Sequence, residues 1–362
     1  MDVAIIGAGL SGLTLAIALD RVGHDVTVFE RDPGPEARSQ GHAIGLYPNL
    51  GLSALQEVGV ASDVKSASCS VRGFSFRRWS GERIAGFELP DAGPPMFFGV
   101  PRAELRSILL RRLGTERVRW GVEVDRMAST PSHVELALSD GTRRRAALAV
   151  GCDGAFSKVR RGKLGVPWKS LGLVSIGGVV GPRDDLPAEH GFLSLAPGHS
   201  MYVQPRDASG SMIWALSCKA DASLEGMDAG ELRRLVLEKI ERWHEPIPAM
   251  VEATQEATVG TVVLGDCDPL DAWTSDRVTL IGDAAHPMSP FQGQGGNLAL
   301  VDAVDLARAL DGVDASDAVS AVKRFETSML ARSGPAVLRS REATRAFHTD
   351  DPETAVRAFV AR

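Results

Sequence analysis

Three glycines in Gly7-Ala8-Gly9-Leu10-Ser11-Gly12 follow the apolar run Val3-Ala4-Ile5-Ile6 and precede the helix-compatible stretch Leu13 to Val22. A GxGxxG turn in that setting handles phosphate. Its first glycine permits the tight turn, its second lets the backbone approach a pyrophosphate, and its third lets helix and strand pack closely. Phosphate charge then meets the helix N-terminus. The pattern alone occurs in many unrelated loops. Here Val26, Val28 and Phe29 supply a second strand, and Glu30 stands eighteen residues after Gly12, where a carboxylate accepts hydrogen bonds from the adenine-side ribose hydroxyls. Leu10, Ser11 and Arg31 belong to the same turn and strand end and join the candidate cofactor contacts. These residues specify a dinucleotide and leave NAD and FAD both open.

A second glycine-rich segment, Pro290-Phe291-Gln292-Gly293-Gln294-Gly295-Gly296-Asn297, opens a long helix. Glycines without side chains let the backbone lie against a flat ring, and the helix N-terminus points positive charge at the ring's edge. Pro290, Gly293, Gly295, Gly296 and Asn297 are therefore candidate ring contacts, against the plainer reading of a loop that only joins strand to helix.

Two further segments complete the set: Gly151-Cys152-Asp153-Gly154-Ala155-Phe156-Ser157 and Leu280-Ile281-Gly282-Asp283-Ala284-Ala285-His286. With Gly7, Gly9, Gly12 and Glu30, they resemble the group A flavoprotein monooxygenases, the FAD-dependent aromatic hydroxylases, over residues 1 to about 310. The resemblance implies FAD as the cofactor. Asp283 would bond its ribityl chain, Arg102 in Val100-Pro101-Arg102-Ala103-Glu104-Leu105 its ribityl and phosphate portion, and Asp153 both FAD and a nicotinamide cofactor. Arg38 would lie beside the flavin edge. Each has a structural alternative, since Asp153 and Asp283 also suit turns or caps, and Arg38 and Arg102 suit an exposed surface.

The resemblance also implies the reaction. NADPH or NADH reduces FAD, dioxygen adds to the flavin, and the hydroperoxide transfers one oxygen atom to an aromatic or polycyclic substrate. The positive end of the helix beginning near Asn297 would face the negative charge of the reduced flavin. Only one dinucleotide fingerprint is present, so the hydride donor is expected to dock transiently. The order Pro-Phe-x-Gly-Gln-Gly and the chain length look nearest to tetracycline-modifying and polyketide-tailoring members, which implies a polyketide-like substrate. A reductase or halogenase on a related scaffold, or a ligand-binding flavoprotein without catalysis, are the competing readings. The tryptophan pair of flavin-dependent halogenases is missing from Trp243-His244-Glu245-Pro246-Ile247-Pro248.

The elements that must position these groups follow from periodicity. Helical spacing runs through a segment near Asn49 to Val58, through Arg102 to Leu113, through Leu232, Leu235, Val236, Ile240 and Trp243, and through Asn297 to Leu310. Val118, Trp120, Val122 and Val124 alternate as one strand, and Val134, Leu136 and Leu138 as another before the Asp140-Gly141 turn. The expected fold is α/β: a Rossmann-like FAD-binding domain from residues 1–70, 99–170 and 265–325, an inserted mixed α+β substrate domain from 71–98 and 171–264, and C-terminal helices over 326–362, broken at Gly334-Pro335. In the substrate domain, Met212, Trp214 and Leu216 share a strand face, with Tyr202 and Gln204 on a neighbouring strand. Trp214 then floors an aromatic pocket or fills a core. His42, His199 and His286 do not single out a base, and no catalytic base is assigned.

The remaining features set bounds. The 362-residue chain is 44% hydrophobic with a net charge of -6, so no basic excess marks nucleic acid or an anionic membrane as partner. Cys69, Cys152, Cys218 and Cys267 are too far apart for a CxxC site, and a cytoplasmic location is expected. No HExxH, Walker A, GxSxG or metal-ligand pattern is present.

Overall fold

Val3, Ala4, Ile5 and Ile6 have no polar side to expose, which suits a strand covered on both faces. In the computed structural model, which describes residues 1–37, 41–90, 93–221 and 224–361, that strand is the centre of a five-stranded parallel sheet. The order is Val278–Leu280, Leu148–Gly151, Asp2–Ile6, Asp25–Glu30, Val118–Trp120. Val3 and Ile5 share a core with residues of the helices Leu10–Arg21, Arg102–Leu113 and Gly295–Leu310. Ala4 and Ile6 pack on the other side, against an antiparallel meander of Val124–Ser129, Val134–Leu138 and Arg143–Ala146.

The alternation from Val118 to Val124 does not form one strand. Gly121 adopts φ +70, a conformation costly for other residues, and separates Val118–Trp120 in the parallel sheet from Val124–Ser129 in the meander. The Gly121 and Val122 amides donate instead to the carbonyls of Asp32 and Glu30.

A second sheet has seven strands in the order Gly260–Asp266, Lys169–Val180, Met212–Lys219, His199–Pro205, His190–Ala196, Gly73–Arg78, Arg83–Glu88. All its pairings are antiparallel except that of His190–Ala196 with Gly73–Arg78. The hairpin within 73–88 therefore joins strands more than a hundred residues later. A small sheet of Ala43–Leu46, Phe97–Pro101 and Cys69–Val71 adds a further antiparallel layer. The architecture is the expected α/β one, with a Rossmann-like parallel sheet, a mixed α and β unit, and helices at the C-terminal end.

One face of the large sheet is covered by the helix Ala229–Lys239, which begins with a reciprocal cap between Asp228 and Glu231, and by Ile247–Glu252. The first of these ends sooner than its periodicity indicates. Trp243 packs into the same core from the turn beyond it.

The expected break at Gly334-Pro335 does not occur, because Ala318–Phe347 is one helix with Pro335 inside. Proline in a helix interior costs roughly 3 kcal/mol. Tertiary packing offsets it: Ser333, Ala336, Val337 and Ser340 are buried around the site, and Ser340 exchanges hydrogen bonds with Ser289. No helix among the described residues is long and apolar enough to cross a membrane.

Trp214 belongs to the core beneath the large sheet. It is 0% exposed and its indole Nε1 donates to Thr254 Oγ1 at 2.7 Å. Thr254→Val keeps the shape but leaves that buried donor without its acceptor, which should cost about 1–3 kcal/mol. A lowered thermal midpoint with unchanged far-ultraviolet dichroism is the expected result. An unshifted midpoint would show that the indole finds another partner.

Candidate active site

The three fingerprint glycines divide into two kinds. A Cβ on Gly7, which has φ +107, would lie 2.5 Å from the Cys152 carbonyl oxygen, and one on Gly12 would lie 2.0 Å from the Gly7 carbonyl oxygen. One on Gly9 would meet nothing within 4 Å. The outer two thus serve close packing inside the protein, and the middle one leaves bare backbone facing open space. Glu30, only 5% exposed, ties the turn to its strand: one carboxylate oxygen accepts from the Ala8 amide at 2.8 Å and the other from the Asp32 amide at 3.0 Å. Each oxygen keeps a further lone pair for a ribose hydroxyl. Leu10 and Ser11 open the helix behind the turn, Arg31 is exposed, and Arg38 lies outside the described residues.

Arg106 was not singled out from the sequence. The residue is 3% exposed, and its guanidinium donates to the Ala8 carbonyl at 2.9 Å and the Pro35 carbonyl at 2.5 Å and sits over the Trp120 ring. It follows Arg102 by four residues, one turn along the same helical face, and that spacing was the available signal.

A cavity of about 1500 Å³ opens beside this turn. Arg102, Arg106, Asp283, Pro290, Gly293, Gly295 and Gly296 line it, as do Tyr202 and Gln204 from the large sheet. Trp214 does not. Pairing sets Tyr202 opposite Ala215 and Gln204 opposite Ile213, so the odd-numbered residues of Met212–Lys219 share the cavity face and Trp214 points the other way. Among the described residues, the Asp283 carboxylate has no hydrogen-bond or ion-pair partner.

Asp153 and Asn297 have other duties. Asp153 accepts from Ser157 Oγ at 2.5 Å and from the amides of Lys158 and Val159 at 2.7 and 3.2 Å, holding the start of the helix Lys158–Leu164. Asn297, fully buried, accepts from the Tyr47 and Gly51 amides and donates to the Gly45 and Gly293 carbonyls. With that amide committed to backbone, Asn297 locks the glycine loop to the small sheet. Helix bonding starts from the Leu298 amide, which leaves the amides of residues 295 to 297 as the open donors of the helix end.

A buried ionic cluster braces the Asp283 segment. Asp302 accepts from the Gly282 amide at 3.0 Å, His286 Nε2 at 2.6 Å and Arg332 at 2.8 Å. Burial opposes charge on His286, but the Asp302 carboxylate beside it outweighs this and holds the imidazole above its ordinary 6.5. Burial opposes charge on Asp302 too, and His286 and Arg332 together keep its carboxyl below 3.8. Arg160, 1% exposed, supports the same segment by donating to the carbonyls of Asp283 and Ala284 and to that of Ala155. Of the other histidines, His42 lines the cavity but donates Nε2 to the Thr258 carbonyl at 2.8 Å, and His199 stacks on Trp243 away from it.

A family described as the FAD binding domain matches residues 1–324. The chain belongs to the FAD-dependent monooxygenases. It is 32% identical to an aurachin C monooxygenase/isomerase of Stigmatella aurantiaca, over 86% of this chain and 80% of that relative. It is 30% identical to a 3-amino-4-hydroxybenzoate 2-monooxygenase of Streptomyces cremeus, over 96% and 88%. The crystal structure of Klebsiella pneumoniae HpxO complexed with FAD and uric acid superposes with a TM-score of 0.89 at 25% identity, covering 100% of this chain and 92% of that one. The monooxygenase uses FAD, and the competing readings without oxygen transfer are not favoured.

The two kinds of fingerprint glycine give opposed expectations for this flavoprotein. Gly12→Ala forces a clash with backbone and should destabilise the apoprotein by about 1–3 kcal/mol. Gly9→Ala should move its stability by no more than about 0.5 kcal/mol and weaken FAD binding instead. Thermal melts and flavin titrations of both variants separate the effects. The ionic cluster predicts a pH dependence. A histidine with a raised folded pKa contributes stability that is complete below 6.5 and disappears as pH rises through the folded value. The thermal midpoint of the wild type relative to His286→Leu should therefore fall as pH climbs above 6.5. A constant difference would show that folding leaves the His286 pKa unshifted, and a rising one that burial keeps the imidazole neutral.

Proposed function

We propose that this monooxygenase hydroxylates an aromatic or polycyclic small molecule, using NADPH or NADH and dioxygen, in the cavity between the glycine loop and the seven-stranded sheet. The carrying observation is that one continuous cavity has Arg102, Arg106 and Asp283 on its cofactor side and Tyr202 and Gln204 on the other. Gly9 and Glu30 would hold the adenosine diphosphate end of FAD, Gly9 through its bare backbone and Glu30 through the ribose hydroxyls, with Arg106 behind the turn. Asp283 would take the ribityl hydroxyls, and Pro290, Gly293, Gly295 and Gly296 would hold the ring. The bare Gly9 surface and, among the described residues, the unpartnered Asp283 carboxylate and the open amides at 295 to 297 support this fit. Asp153 contributes by shaping the turn beside Gly7, and Asn297 by fixing the loop.

Bound FAD supplies the redox and oxygen chemistry. The chain's part is to bind, orient and keep water out. Phe76, Leu193, Ile213, Phe291 and Phe347 give the cavity the apolar wall that exclusion of water requires. The helix end at 295 to 297 presents positive dipole to the ring edge. No base is assigned, and the hydride donor docks transiently. The division into a cofactor domain and a substrate domain is proposed on the same ground, since segments 73–88 and 169–266 share one sheet. A reducing cytoplasm is supported by four free thiols.

The test is to purify the protein, record a flavin spectrum, and follow NADPH or NADH oxidation with labelled dioxygen across a panel of aromatics. Label in the product is expected. Flavin without label in any product would favour a reductase. Asp283→Ala should fold but bind FAD more weakly by about 1.5–3 kcal/mol, the scale of hydrogen bonds to a charged group. Unchanged affinity would remove Asp283 from the ribityl contact.

A further inference from the structure

The seven-stranded sheet carries a second hollow, on the face turned away from the large cavity. Phe74 and Phe76 line that cavity, so Ser75 and Arg77 of the same strand, Gly73–Arg78, point the other way. Register stacks three rows on this reverse face: His190, Gly73 and Glu88; then Phe192, Ser75 and Gly86; then Ser194, Arg77 and Arg83. The middle row is low over Ser75 and Gly86. A Cβ on Gly86, which has φ +148, would lie 2.6 Å from the Phe74 carbonyl oxygen, so the gap is built into the backbone. It has a volume of about 270 Å³, and Ser75, Arg77, Arg83, Glu88 and His190 line it from both outer rows.

The donors of those rows converge on the gap. Arg77 Nε donates to Ser75 Oγ at 3.0 Å, His190 Nε2 lies 3.1 Å from the same oxygen, and the Arg77 guanidinium sits over the Phe192 ring, 4.6 Å from its centroid. Ser75 is only 1% exposed. Among the described residues, the terminal nitrogens of Arg77 have no partner and no carboxylate pairs with it. Glu82 pairs with Arg78 at 2.9 Å, and Glu189 with Arg72 at 3.8 Å. Arg72 also holds the chain at the opposite end of the strand from Arg77, by donating to the Pro90 and Gly93 carbonyls. Glu88 meets Arg83 at 3.5 Å with both side chains exposed, which makes a weak pair.

In place of a counter-ion, Arg77 has a second guanidinium for a neighbour. Burial and the charge of Arg83 both lower its pKa, and burial and Arg77 likewise hold His190 below its ordinary 6.5. A half-buried guanidinium with open donors and a like charge beside it is stabilised by an anion. Phosphate suits the set better than a carboxylate, because its oxygens point to separate corners and these donors arrive from opposite rows.

We infer that the hollow over Ser75 is a binding site for a phosphate group, held between Arg77 and Arg83 with His190 beside them, on the reverse face of the sheet from the large cavity.

The experiment uses FAD-loaded protein, in which the phosphate-binding turn at Gly9 is already filled, in chloride buffer at constant ionic strength. Inorganic phosphate, glycerol 3-phosphate and acetate are each titrated by calorimetry. At least one of the two phosphates should bind saturably, and Arg77→Gln and Arg83→Gln should each weaken it about tenfold or more, the scale of a hydrogen bond to a charged group, with flavin content unchanged. Tighter binding of the ester assigns the site to a phosphorylated small molecule, and equal or tighter binding of inorganic phosphate assigns it to the free ion. Should Arg77→Gln lose its flavin, the exposed Arg83→Gln decides. No saturable binding of either phosphate, or binding that the variants keep in full, would overturn the site as an adventitious ion only. Acetate binding as tightly as the phosphates would overturn the ligand class.

Discussion

A single buried carboxylate, Asp302, holds the cofactor side of this protein in register. It sits on the helix Gly295–Leu310 and reaches the Gly282 amide, His286 and Arg332, which belong to a loop and to the helix Ala318–Phe347. Removing one partner from a buried ion pair costs about 3–5 kcal/mol because the other charge is left without water or counter-ion. That penalty holds the loop after the last parallel strand in chain order, Val278–Leu280, against the helix whose open end faces the cavity. Asp283, next to Gly282, therefore points where it does because of a group two turns down another helix. Arg160 pins the same segment through its carbonyls.

The cavity inherits its two characters from two sheets. On the cofactor side, glycines remove side chains so that backbone can approach phosphate and ring, and cations from Arg102–Leu113 stand behind them. On the substrate side, a strand period of two sends alternate residues to opposite faces. Tyr202, Gln204, Ile213 and Ala215 reach the cavity, while Val203, Trp214 and Leu216 fill the core under the sheet. The result is a largely apolar wall, with Arg206 at its end, opposite a polar, cationic one. Such a division suits chemistry in which the cofactor carries the charge and the substrate must be kept from water.

Much of the cofactor end was legible from residues close together in the chain. The turn at Gly7, Gly9 and Gly12, the acid at Glu30, the helices Arg102–Leu113 and Gly295–Leu310, and the glycine loop before the latter all follow from local sterics and short periodicities. Trp214 was harder. Alternation shows that a strand has two faces, but only the helix Ala229–Lys239 packed against one of them decides which face is core. The continuous helix through Pro335 and the split of Val118 to Val124 failed for the same reason, since partners elsewhere in the chain outweighed the local preference.

By itself, the sequence determined where phosphate and ring contacts must lie along the chain, because glycine's missing side chain acts on the nearest few residues whatever the rest of the fold does. Only the tertiary structure decided what those contacts meet. It brought Arg106 to the Ala8 carbonyl, spent the Asn297 amide on four backbone groups, and left the Asp283 carboxylate without a hydrogen-bond partner among the described residues while Asp153 caps a helix. It also set the neutral Tyr202–Gln204 pair across the cavity from the glycine loop. The physical reason is that burial and hydrogen-bond satisfaction are settled by groups distant in sequence, and neither spacing nor residue type records which distant group arrives.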